Sequence, residues 1–135
     1  MSIPLNDHAW IDYIWRQWSP GWEYDPQTIA GVKQTLAKPG VLEAALGYYR
    51  SPWQYQLEDA QLAGMQAKIN ADPIEVPSLY VHGALDGCIG VDISHGMEGL
   101  FPGGLQYEVI DGAGHFAHLE KPAEFNRLVL DFLKT

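Results

Sequence analysis

Cysteine is nearly missing from this 135-residue chain, where Cys88 stands alone. A single thiol forms no intrachain disulfide and no multi-thiolate zinc site, so neither staple is expected, as suits a reducing cytoplasm. Basic residues are scarce too: eight Lys and Arg face seventeen Asp and Glu, a formal net charge of −9. A surface of that sign repels phosphate and argues against nucleic acid as a partner. No apolar run approaches the roughly 18 residues of a membrane span, and the opening Met1 to Asp7 has neither a basic start nor a long apolar core. The expectation is a soluble, cytoplasmic protein with no membrane partner. Internal repeats and low-complexity tracts are also lacking. What is plentiful is apolar matter, 47% of the residues, with five Trp, seven Tyr and four Phe. That is a globular composition, of a size for one folding unit.

The most organised stretch is Asp111-Gly112-Ala113-Gly114-His115-Phe116-Ala117-His118-Leu119-Glu120-Lys121-Pro122. Before it, Leu105 to Ile110 alternates apolar and polar residues like a half-buried strand, and the glycines allow a tight turn at the strand's end. After it, Phe125, Leu128, Val129, Phe132 and Leu133 make one helical stripe, with Pro122 suited to the first helical position. His115 lies at the seam, where open α/β sheets place their chemistry. Upstream, Pro77-Ser78-Leu79-Tyr80-Val81-His82-Gly83 has the same form, and Asp86 follows it in Ala84-Leu85-Asp86-Gly87. If the two strands are parallel neighbours, Asp86 and His115 emerge on one rim, and the carboxylate orients the imidazole. Between them Ile93, Met97, Leu100 and Phe101 are spaced for a crossover helix closed by Pro102-Gly103-Gly104, so residues 74–135 read β-α-β-α.

These residues resemble the C-terminal part of the α/β-hydrolase superfamily, of the epoxide hydrolase and haloalkane dehalogenase kind, whose triad runs nucleophile, acid, histidine. By that resemblance Asp86, in His-Gly-Ala-Leu-Asp, matches the acid, and His115, in Gly-Ala-Gly-His-Phe, the general base. The family's nucleophile stands in G-x-S-x-G, or the same turn with Asp or Cys at its centre, and no such pentapeptide occurs. Ser2, Ser19, Ser51, Ser78 and Ser94 lack the flanking glycines, and Cys88 follows the acid instead of preceding it. The chain therefore reads as an α/β protein, a helical lid (1–70) followed by the C-terminal part of the hydrolase core (71–135), with the nucleophile-bearing half absent.

The lid expectation rests on three short aromatic-rich helices. Asn6 or Asp7 is placed to cap the first, with Ile11, Ile14, Trp15 and Trp18 in a stripe ended by Ser19-Pro20-Gly21. Pro26 opens the second (Ile29, Val32, Leu36), and residues 41–50 form the third. A weaker helical stretch runs from Leu57 to Ile69 with Gly64 inside, at a cost of about 1 kcal/mol relative to alanine. Tyr48-Tyr49-Arg50 resembles the cap tyrosine setting of epoxide hydrolases, so Tyr49 is the candidate donor to an epoxide oxygen, or else it packs in the lid. Trp15, Trp18, Trp22 and Trp53 line an apolar pocket or fill the lid's core, Trp18 and Trp22 being the candidates for substrate contact.

Several rival readings stay open. For His115 the rival is a turn histidine satisfied by backbone carbonyls, and its place after the strand, with an Asp at the end of the preceding one, tips the balance to the general base. Asp92 rivals Asp86 but suits the N-cap of the crossover helix, and Asp111 suits the turn. His118 and Glu120 complete an H-x-x-H-x-E pattern around His115, but they span a turn and lack a distant ligand set. No metal and no cofactor is expected. Two parallel strands with unpaired edges do not make an independent sheet, so a partner is expected, either an N-terminal hydrolase half or a second copy. The expected reaction is hydrolysis of a small apolar ester, epoxide or halide, the chain being inactive without a nucleophile-bearing partner. The alternative is a non-enzymatic remnant acting as an association module.

Overall fold

The computed structural model describes residues 7–51 and 59–134. The chain forms two compact units, one of Met1–Asp25 with Pro73–Thr135 and the other Pro26–Asp72. Strand β1 (Ser78–Gly83) pairs parallel with β2 (Leu105–Ile110), in a register that sets Tyr80 beside Tyr107 and Gly83 beside Ile110. Among the described residues these two strands make the whole sheet. One face carries Val81 and Ile110 into the core; the other stacks Tyr80 on Tyr107, as the two-residue side-chain period requires.

The core is built at the C-terminal ends of the strands. Ile110 and Ala113 are fully enclosed, and Ala117 and Leu128 join them with Val81 and Phe125 packed around. Enclosing an Ile side chain contributes roughly 1.5–3 kcal/mol. Helix α5 (Ala117–Glu120) is a single turn, and α6 (Pro122–Phe132) starts on its proline as expected. The α6 stripe is shorter than the sequence predicts. Leu133 lies past the helix end and is exposed.

The crossover is corrected. In place of one helix there are two short 3-10 turns, Val91–Ser94 and Met97–Leu100. Gly96 between them takes φ +82°, a left-handed conformation that a right-handed helix does not pass through. Ile93 and Leu100 are exposed as a result, not packed. Asp92 does not cap: Gly90 holds that position without a side-chain bond, and Asp92 lies 3.8 Å from His95.

Helix α1 (Ala9–Trp18) buries Ile11 and Trp15. The expected cap at Asp7 is not made. His8 occupies the N-cap with φ 57° and no side-chain bond, while Asn6 lies outside the described residues. Helix α1 lies in the same compact unit as the strands. The reason is aromatic: Trp15 and Trp18 both pack on Phe116, with ring centroids 4.6 and 6.3 Å away.

The second unit holds α2 (Pro26–Leu36), α3 (Val41–Arg50) and α4 (Ala60–Ala71), with Ile29 of α2 buried. Asp59 caps α4 by accepting the Gln61 N–H at 2.8 Å, the ordinary role of an N-cap carboxylate. Trp53 lies outside the described residues. No described helix is long and apolar enough to cross a membrane.

Candidate active site

The acid turn leaves β1 at Gly83 and is tied at once to its neighbours. Ala84 N–H donates to the Ile110 carbonyl at 3.0 Å, and Leu85 N–H to the Ala113 carbonyl at 2.8 Å. Asp86, its side chain only 6% exposed, accepts the Cys88 and Ile89 N–H groups on Oδ1 at 2.8 and 3.0 Å. Its other oxygen, Oδ2, lies 2.9 Å from His115 Nδ1. A carboxylate only accepts, so Nδ1 carries the proton and donates it, and the opposite ring nitrogen, Nε2, is left as the base.

Burial on its own raises the Asp86 carboxyl; hydrogen bonds from Ile89, His115 and Cys88 and the charge of His115 outweigh it, and the group sits below its ordinary value of 3.8. The sign follows from linkage. A carboxyl lowered by folding stabilises the fold above its unfolded pKa, and that contribution is lost as pH falls through the folded value. We predict that the melting-temperature advantage of wild type over Asp86→Asn is constant near neutrality and shrinks as the solution is taken below about pH 4. An advantage independent of pH down to pH 3 would show that the ionised form is not the one held.

The histidine turn is fastened at three successive amides. Gly114 N–H donates to Glu120 Oε2 at 2.8 Å and Phe116 N–H to Oε1 at 3.0 Å. His115 N–H donates to the Trp18 carbonyl at 3.0 Å, which also accepts the Gly87 N–H at 3.1 Å. The end of α1 thus links the acid turn to the histidine turn. Ser19, 1% exposed, donates its hydroxyl to Glu120 Oε1 at 2.7 Å.

The predicted site residues separate into three groups. Asp86, His115 and Trp18 come together, the Trp18 ring standing edge-on to the imidazole at 4.7 Å, with His115 still 27% exposed. Trp22 lies one layer away, stacked on Trp15 at 5.3 Å and near Phe116 at 5.9 Å. Tyr49 belongs to the other unit, 72% exposed on α3 with its ring beside Tyr48. Of the rivals, Asp92 and Asp111 are exposed. His118 lies against Phe125, Glu120 holds the turn, and no group of three His, Cys, Asp or Glu among the described residues is arranged to hold a metal.

No described serine is held by His115. Ser19 donates to Glu120, Ser51 to the Tyr48 carbonyl, Ser78 to the Val76 carbonyl and Ser94 to the Val91 carbonyl; Ser2 lies outside the described residues. The Cys88 thiol is pushed up, by burial first and then by the Asp86 charge, which suppresses the nucleophilic thiolate. The structural roles of Ser19, Glu120 and the Trp18 carbonyl were missed in the sequence. A usable signal for Glu120 was its place just before the helix-opening Lys121-Pro122.

The family model described as "alpha/beta hydrolase fold" matches residues 10–122. The chain belongs to the α/β hydrolase fold family. The fold is the α/β architecture expected, two parallel strands with flanking helices from a partial hydrolase core. A curated epoxide hydrolase of Neurospora crassa is 37% identical over 60 residues, 44% of this chain and 18% of that enzyme. The crystal structure of a candidate epoxide hydrolase from Klebsiella pneumoniae superposes with a TM-score of 0.81 at 28% identity, covering 98% of this chain and 44% of that one. This hydrolase-fold chain is epoxide-hydrolase-like, and spans less than half the length of either relative.

Proposed function

We propose that the chain contributes the acid and the histidine of a hydrolytic site for small apolar epoxides, with esters and halides as related substrates. The observation that carries this is the 2.9 Å bond from His115 Nδ1 to a buried Asp86 whose other oxygen holds two amides. That arrangement orients an imidazole and stabilises it when it takes a proton. The likeness to epoxide hydrolases favours an epoxide. A carboxylate nucleophile from sequence outside this chain attacks a ring carbon, the C–O bond breaks, and an alkoxide and an ester form. Tyr49, as the cap tyrosine of this reading, would donate a hydrogen bond to the epoxide oxygen. His115 Nε2 then takes a proton from water as that water attacks the ester; the tetrahedral intermediate collapses, the carboxylate re-forms, and the two protons of the water end on the alkoxide and the departing oxygen of the diol, the imidazole returning to its neutral form. With a serine or cysteine nucleophile, His115 deprotonates the nucleophile first. Trp18 and Trp22 supply apolar surface.

The test assays styrene oxide, a p-nitrophenyl ester and a haloalkane with the chain alone. The panel is then repeated after co-expression with the part of the Klebsiella relative that this chain does not cover. We expect no turnover by the chain alone, and turnover by the assembled complex that drops at least ~10³-fold with His115→Ala. A stable complex without turnover would favour the association-module reading, for which the missing G-x-S-x-G is the supporting observation. Turnover by the chain alone, lost in His115→Ala, would place a nucleophile within it and direct attention to Ser94 and Cys88.

A further inference from the structure

Beside Asp86 lies a largely buried polar chain that the proposed reaction does not use. Tyr80 and His82 project from the same face of β1, two residues apart, and His82 is buried. Its Nε2 lies 2.9 Å from the Ile89 carbonyl and 3.4 Å from Asp86 Oδ2. Both are acceptors, so Nε2 carries a proton. Nδ1 lies 2.7 Å from the Tyr80 hydroxyl. Burial, followed by the proximity of Tyr107 and Asp86, pushes the Tyr80 phenol up, so it stays protonated and donates to Nδ1. Tyr80 stacks on Tyr107, its register partner, at 5.4 Å and 7°, and the Tyr107 hydroxyl lies 2.6 Å from Ser94 Oγ. The imidazole is therefore held on both nitrogens, with the Tyr80 ring 5.7 Å from it.

We propose that His82 is a positioning residue for Asp86. By binding the Ile89 carbonyl it keeps the Ile89 N–H on Asp86 Oδ1, and its second, longer contact helps hold Oδ2 toward His115. Tyr80 fixes the tautomer that makes both contacts available. One residue, Ile89, is thus gripped at its carbonyl by His82 and at its amide by Asp86. Releasing the carbonyl frees the loop 86–89 to move, and the carboxylate loses the amides that aim it. This role rests on the reading of Asp86 and His115 as an acid–histidine pair.

The test is NMR of the intact chain at neutral pH and low temperature, which needs no substrate. The readout is the far-downfield proton of His115 Nδ1, visible only while Asp86 shields it from exchange with water. Asp86→Asn is expected to abolish that signal. His82→Leu, which fills the space but binds neither the Ile89 carbonyl nor the Tyr80 hydroxyl, is expected to lose it or broaden it beyond detection. His82→Gln, whose side-chain amide reaches the Ile89 carbonyl, is expected to restore it. Tyr80→Phe is expected to weaken it while the α6 amide spectrum stays as in wild type. An unchanged signal in folded His82→Leu would overturn the role, reducing His82 to a space-filler. Should His82→Leu fail to fold, an unchanged signal in Tyr80→Phe would do the same. A signal that survives Asp86→Asn would instead overturn the underlying acid–histidine pairing.

Discussion

Replacing Glu120 by alanine is expected to destabilise the chain by about 3 kcal/mol, a melting-temperature loss of roughly 10 °C. One carboxylate accepts three hydrogen bonds, from Ser19 Oγ, Phe116 N–H and Gly114 N–H. Two of those donors flank His115, and the third is the residue after α1. Truncation leaves all three donors without their acceptor in a part-buried site. An unsatisfied buried donor costs about 1–3 kcal/mol, while the three losses overlap because they share one partner. Glu120→Gln separates the bonds. Its carbonyl oxygen, placed at the Oε1 position, keeps Ser19 and Phe116, while the amide nitrogen faces the Gly114 N–H donor to donor. About half the loss is expected. Thermal unfolding of the three proteins by circular dichroism measures this. A Glu120→Ala chain that melts with the wild type would mean the clamp contributes nothing to holding the histidine turn.

Gly83→Ala is the second large effect. Gly83 ends β1, and a Cβ built there runs into the Gly114 carbonyl oxygen and lies 2.6 Å from that of Ala113. These are backbone atoms of the histidine turn, pinned by the Glu120 and Trp18 bonds, and they cannot step aside as a flexible side chain does. Overpacking of a rigid core typically costs about 1–3 kcal/mol, and Gly83→Ala is expected at the top of that range or above it. The turn must move as a body if the protein folds at all. The 2.9 Å bond between His115 and Asp86 spans the same gap, so turnover by the assembled hydrolase should fall together with stability. By contrast, nothing stands within 4 Å of a Cβ built at Gly31 or Gly64. Alanine at those two helical positions should raise stability slightly, by up to about 1 kcal/mol. Equal behaviour of Gly83→Ala and Gly64→Ala in urea unfolding would refute the steric argument.

Elements set by local pattern were legible in the chain. The alternation over Leu105–Ile110 gives β2, the proline at position 26 opens α2, the stripe of residues 41–50 gives α3, and Pro122 opens α6. Each depends on neighbours a few residues apart, where side-chain periodicity and proline geometry act directly. The crossover was misread because the apolar spacing of Ile93, Met97, Leu100 and Phe101 outweighed one residue. Gly96 adopts φ +82° there, and a spacing rule gives no weight to a backbone handedness.

The sequence by itself determined the two strand ends and the placing of an Asp and a His just beyond them, and through those motifs a resemblance to the α/β-hydrolase superfamily. The strand ends and the two placings follow from period and turn chemistry within about ten residues. Only the tertiary structure decided what holds that pair. Ser19 meets Glu120 across 101 residues, Trp18 offers one carbonyl to both turns, and α1 groups in one compact unit with the strands. Glu120, which in the sequence resembled a fragment of a metal motif, turns to backbone amides, and His82, which reads as an ordinary strand residue, grips the loop of the acid. The physical reason is common to all of them. Hydrogen bonds that satisfy buried groups are chosen by proximity in space, and proximity between residues far apart in the chain is set by packing, which no local pattern encodes.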